Sequence, residues 1–159
     1  MRMIKYSKNE LIPDIIIDFD EWNNHSGIYL IIEKAAKHTL SYINNIEYQE
    51  LSILLTSNKN ITALNKRFRD INKATNILSF KSEKHHLGDI VISYEYILAE
   101  ITQQSKTLNE HLSHLIIHGI LHLLDFDHEN DEKAAEMEEI EINIMNDLGY
   151  KNPLSLIHI

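Results

Sequence analysis

The chain has 159 residues, 43% of them hydrophobic and 25% charged, which is an ordinary globular mixture. At this length folding hides roughly 70% of the unfolded surface, so no covalent staple is needed. Cysteine is absent and the net charge is −9, which excludes a disulfide scaffold, a thiolate metal site and a cysteine nucleophile, and argues mildly against a nucleic-acid partner.

There is no internal repeat and no low-complexity linker, and prolines number only two, so residues 1–159 read as a single domain. Ile15 to Asp20 reads as a first strand. From Ser26 to Asn44, Ile28, Ile31, Ile32, Ala35, Ala36, Leu40 and Ile43 recur at helical spacing. Leu51 to Thr56 is a buried strand. Ile61, Leu64, Phe68 and Ile71 form one stripe of a short helix, with Asn58 or Asn60 expected as its cap. Two further strands, Asn76 to Lys81 and Asp89 to Ser93, are expected around a polar loop from Ser82 to Gly88, where Gly88 would serve the turn. Helices then span about Tyr94 to Gln104, Leu108 to Leu124 and Asp131 to Leu148, with Gly149 closing the last. The prediction is an α+β domain: a single mixed sheet of about four strands, about five helices packed against it, and a metal-binding helix near the C-terminus. No run approaches the ~18 apolar residues of a membrane span. The segment before Asp20 carries no signal-like apolar core. A cytoplasmic protein with no membrane partner is expected.

The charge is unevenly spread. Lys59 to Lys84 holds seven basic residues against Asp70 and Glu83, a net of +5, whereas Asp125 to Asp147 holds ten acidic residues against Lys133, a net of −9. Solvated faces account for most such runs. The alternative is that the basic edge attracts phosphates while the acidic segment keeps the chain in solution.

Histidine placement is more informative than its number. His111, His114, His118 and His122 fall within an arc of about 80° on a helix. The other positions there are nearly all apolar, the mark of a buried helix, and buried imidazoles need partners. His118 and His122, four apart, can face one centre, and His128 follows once Asp125-Phe126-Asp127 breaks the helix. Three imidazoles leave a fourth position open, the pattern of a catalytic zinc, with copper, nickel or iron as other candidates. His111 and His114 are expected behind or beside the site, although His114 lies one turn from His118 and is a possible ligand. The same spacing occurs in metzincin peptidases, but Gly119 stands where they carry the glutamate base. Gly119 either lets another element pack closely or opens room for a substrate group.

His118-Gly119-Ile120-Leu121-His122-Leu123-Leu124-Asp125-Phe126-Asp127-His128 resembles the H-G-x-L-H-L-x-G-Y-D-H signature of the YbeY family, bacterial endoribonucleases of ribosomal RNA maturation. Leu64 to Arg69 is similar to that family's L-N-x-x-[YF]-R segment, Thr75 to Phe80 to its T-[DN]-V-L-S-F strand, and Leu87 to Ile90 to its L-G-D-I turn. These motifs run in the family's order. Asp125 replaces the usual glycine, yet Asp tolerates a left-handed turn better than most residues. Phe126 replaces tyrosine, and Ala74 stands where proline is common. The resemblance implies a zinc-dependent, single-strand-specific endoribonuclease acting in 16S rRNA 3′-end maturation and ribosome quality control. It implies one zinc ion per chain, held by His118, His122 and His128, with Arg69 contacting phosphate. Its partners would be single-stranded RNA, in particular ribosomal RNA, and the ribosome or ribosomal proteins; no DNA is expected. Asp127 could orient a ligand imidazole or simply shape the turn. Glu138 and Glu141 come nearest to register with a cleft and are assigned to the solvated surface. The competing readings are a hydrolase of another substrate on the same zinc, and a non-catalytic ribosome- or RNA-binding factor whose zinc is closed by His114, Asp127 or another side chain.

Overall fold

The computed structural model describes residues 12–44, 50–82 and 86–150. Its elements are β1 (Asp14–Ile17), α1 (Ile28–Ile43), β2 (Glu50–Thr56), α2 (Asn58–Arg69), β3 (Ile77–Lys81), β4 (His86–Ser93), α3 (Tyr94–Gln104), α4 (Leu108–Leu123) and α5 (Asp131–Asp147). The strands form one mixed sheet in the order β1-β2-β4-β3. β1 and β4 both run parallel to β2, and β3 is antiparallel to β4. This is the α+β architecture that the sequence predicts.

Alternation along the strands decides which helix covers which face. Leu51, Ile53 and Leu55 of β2 and Ile90 and Ile92 of β4 enter the main core, where they meet residues of α1, α4 and α5. The intervening Leu54, Leu78, Phe80 and Val91 point the other way, onto Ile61 and Leu64 of α2. α4 lies at the centre of the larger layer, touching α1, α3, α5, β3 and β4. Every residue from His111 to Leu121 is buried.

Several local expectations are corrected. The first strand ends at Ile17, because Asp20–Asn24 forms a short 3-10 helix that seats the buried Trp22. The Trp22 indole donates to the Thr56 carbonyl at 2.9 Å, which satisfies its only polar group. Ser57, not Asn58 or Asn60, caps α2, its hydroxyl accepting from the Asn60 amide at 3.3 Å. The two asparagines sit inside the first turn, where the Asn58 side chain accepts from the Ser93 hydroxyl at 2.6 Å. β4 begins at His86, three residues early, and Gly88 is a strand residue rather than a turn residue. It pairs with both Leu51 and Lys81, beside a register shift that leaves Leu87 as an extra residue. A Cβ on Gly88 would come within 2.5 Å of the Phe80 carbonyl oxygen and 2.7 Å of Leu123, so glycine is required by close approach. Residues 83–85 of the expected loop, with Lys84 among them, lie outside the described residues. The close of α5 follows the prediction: Gly149 has φ 91°, its amide bonds Asn146, and the Tyr150 amide bonds Met145. Among the described residues no helix is long and apolar enough to cross a membrane.

Candidate metal centre

α4 delivers two of the three predicted ligands on one face, and its C-terminal stop delivers the third. The helix ends as the family signature suggests, with Asp125 standing in for glycine at φ 72°. The Asp125 amide bonds the His122 carbonyl at 3.0 Å and the Phe126 amide bonds the Leu121 carbonyl at 3.0 Å, the paired bonds of a left-handed helix stop. Asp125 is also ion-paired with Lys81 at the end of β3. One turn further on, the Asp127 carboxylate accepts from the Glu129 amide at 3.1 Å. Asp127 therefore shapes the turn that presents His128.

His118, His122 and His128 come together with their ligand nitrogens within 4.8 Å of one another. Ring centroids are 4.5 Å apart for His118 and His122, 5.2 Å for His122 and His128, and 6.0 Å for His118 and His128. His118 is buried, His122 half-buried and His128 exposed, so the cluster opens to solvent on one side.

Sequence reasoning set aside the residue that organises this cluster from behind. Glu141, buried on α5, accepts from His118 Nδ1 at 2.7 Å. His114 Nε2 lies 3.4 Å from the same oxygen, within ion-pair reach but outside good hydrogen-bond geometry. Burial opposes ionisation of Glu141, but the two histidines outweigh it and hold the carboxyl down at about 2. It is an anion that can only accept, so His118 Nδ1 is the donor and Nε2 is left to face the cluster. Burial lowers the pKa of His122 to about 4, reinforced by His118 and His128 and opposed by Glu141 and a hydrogen bond to the Phe126 backbone. His122 Nε2 then lies 3.0 Å from His118 Nε2. With the outer nitrogen of His118 taken by Glu141, the two inner nitrogens face each other at a separation that a shared cation can bridge.

That arrangement fits a metal. A tetrahedral zinc with Zn–N bonds of about 2.0–2.1 Å spaces its donors ~3.4 Å apart, near the 3.0 Å between His118 Nε2 and His122 Nε2 and inside the 4.8 Å that bounds the three. A carboxylate on the outer nitrogen of a ligand histidine is the usual support of such sites. His114 does not enter the cluster: it is fully buried against Glu141, and burial lowers its pKa. His111 is further away, paired with Glu100 at 2.9 Å. Among the described residues no carboxylate joins the three histidines.

Gly119 serves packing. A Cβ there would meet Ile77 at 2.9 Å, Ile90 at 3.0 Å and Ser79 at 3.2 Å, so the glycine lets α4 lie directly on β3 and β4. It faces the sheet, which decides for close packing over room for a substrate group. Arg69 is the last residue of α2, exposed and without an ion pair among the described residues. The helix end is braced by Asn65, whose side chain donates to the Lys73 carbonyl at 3.0 Å. Phe68, beside Arg69, packs on Phe80 with ring centroids 5.2 Å apart. The next residue of β3 is Lys81, which reaches Asp125. The ends of α2 and α4 thus flank the same end of β3, from opposite faces of the sheet.

Residues 16–149 match the sequence model of the family described as Endoribonuclease YbeY. The chain belongs to the YbeY family. A relative named Endoribonuclease YbeY from Bartonella henselae is 40% identical, the match covering 88% of this chain and 94% of the relative. The protein of the same name from Bartonella quintana is 37% identical over the same shares. The solution structure of TM1509 from Thermotoga maritima has the same fold, with TM-score 0.61 and 22% identity over 87% of this chain and 89% of that one.

Proposed function

We propose that this YbeY-family chain is a zinc-dependent endoribonuclease specific for single-stranded RNA, acting in the cytoplasm on ribosomal RNA in 16S 3′-end maturation and ribosome quality control, with the ribosome or its proteins as partners. Membership of a family of endoribonucleases supports the reaction class. The observation that carries the metal dependence is the convergence of His118, His122 and His128 with Glu141 behind them.

Each residue then has a physical task. Glu141 fixes the tautomer and ring orientation of His118. The core packing of α4 fixes His118 and His122 relative to each other, and the turn at Asp125 and Asp127 brings up His128. A bound cation would supply Lewis-acid polarisation of a phosphoryl oxygen or activation of an attacking water. Arg69, a planar and permanently charged fork, would hold two non-bridging phosphate oxygens as negative charge develops on them. His128 is exposed, so the cluster is open to solvent on that side.

The test is cleavage of a labelled single-stranded RNA by the parent, His122→Ala and Arg69→Ala, with metal content measured on each. His122→Ala is expected to lose metal and cleavage together. Arg69→Ala is expected to keep the metal and lose cleavage by about 10²-fold, the loss typical of one oxyanion-stabilising group. Equal cleavage by the parent and His122→Ala would refute the metal-dependent reading.

A further inference from the structure

Phe68, at 57%, is more exposed than any other phenylalanine, tyrosine or tryptophan among the described residues. A phenylalanine so placed leaves apolar surface in water that burial would stabilise. The ring is nonetheless held in place. Phe80 meets it at 5.2 Å and a 57° tilt, and the Arg67 guanidinium carbon lies 5.2 Å from its centroid. Lys66, Arg67 and Arg69 share its helical turn, and Lys81 follows Phe80 directly.

From this juxtaposition we infer that Phe68, braced by Phe80 and Arg67, is a stacking platform for one base of a single-stranded RNA whose flanking phosphates lie on the cations around it. The inference rests on the endoribonuclease reading and deepens it. A rigid exposed ring ringed by positive charge matches the combination of base face and phosphate that a single strand presents. A duplex hides its base faces and cannot use the ring, so the platform would contribute directly to selection of single strands. Its position fits the path: the ring rests on Phe80, and Lys81 next in the chain reaches Asp125 at the end of the histidine helix. A strand laid on Phe68 and Arg69 would pass the end of β3 toward the cluster. Stacking is tolerant of base identity, so the platform would confer preference for unpaired RNA without a sequence preference.

The test compares the parent, Phe68→Leu and Phe68→Trp by fluorescence anisotropy, recorded before cleavage proceeds. The probes are a labelled single-stranded RNA and the same strand with its central nucleotides abasic. Phe68→Leu keeps an apolar side chain and removes the π face. The expected result is a roughly five- to tenfold weaker affinity for the intact strand in Phe68→Leu, the low end of one stacked base. Affinity for the abasic strand should not change, metal content should not change, and Phe68→Trp should restore binding. Parent-like binding of the intact strand by Phe68→Leu would overturn the platform while leaving the endoribonuclease reading intact. Equal loss on both strands would also overturn it, as a defect of fold or charge. A parent that binds neither strand would instead refute the endoribonuclease reading itself.

Discussion

Glu141 is connected to the histidine cluster by one bond, the 2.7 Å contact to His118 Nδ1, and that bond orients the cluster's buried member. Glu141→Gln keeps the shape and removes the charge. It is expected to weaken zinc binding about 10- to 100-fold, the usual cost of losing an outer-sphere partner, as read by competition with a chelator. Unchanged affinity would show that His118 is oriented by packing alone. The three histidines were legible in the sequence because helical spacing places His118 and His122 on one face and the Asp125-Phe126-Asp127 break explains His128. Glu141 was not, because it stands on a different helix, 23 positions from His118. Its register hinted at the cleft, but one of many glutamates on an acidic helix carries no mark of burial. A glutamate sharing a stripe with Met137, Ile144 and Met145, all buried, was the available signal. Arg69 was singled out only through the family motif, since nothing in its neighbours in the sequence distinguishes it from Arg67.

At the level of elements, the strands and helices were readable wherever apolar periodicity was strong, and the errors cluster where a single side chain reroutes the backbone. Trp22 ends β1 by diving under the sheet edge to the Thr56 carbonyl, and no pattern of period two announces that. Ser57 was overlooked as the cap of α2 because two asparagines follow it. Gly88 was read as punctuation between strands, when it is an interior position that β3 and α4 both crowd. Gly88→Ala is therefore expected to destabilise the fold by about 1–3 kcal/mol or more, as overpacking does. The new methyl meets a backbone carbonyl at 2.5 Å, which cannot rotate away as a side chain can. The measurement is the shift of the denaturant midpoint, and a midpoint within error of the parent would show that the Phe80 backbone yields.

For the whole molecule, acid is the revealing variable. In the metal-free chain, burial first, and then His118 and His128, hold His122 at about 4 against an ordinary 6.5. Burial likewise lowers His114. As pH falls below 6.5 the unfolded chain takes these protons first, so stability declines from there toward the folded values. Glu141 adds a second, lower step. Its contribution is complete above its ordinary 4.5 and is lost as pH falls toward about 2. Denaturant midpoints of chelator-treated protein should therefore fall between about pH 7 and about pH 5, well before carboxylates protonate. A flat profile there would mean that the buried histidines are not neutral. At this scale the sheet order β1-β2-β4-β3 was the least legible feature. Strand order depends on how the α2 and β3 segments return to the sheet, which spacing along the chain does not encode.

The three histidines are not equally prepared for their task. Two ride on a helix whose position the core already dictates, whereas the third follows a short turn that is only partly buried. Folding alone thus settles the places of His118 and His122. The remaining loss of freedom on capture of an ion falls on the few residues between Leu124 and His128. Uptake and release of the ion would then be stepwise, with His128 arriving last and leaving first. The lifetime of the loaded site would be set in that turn rather than in the helix, so changes at Asp125 or Asp127 would act on exchange rate more than on the architecture of the fold.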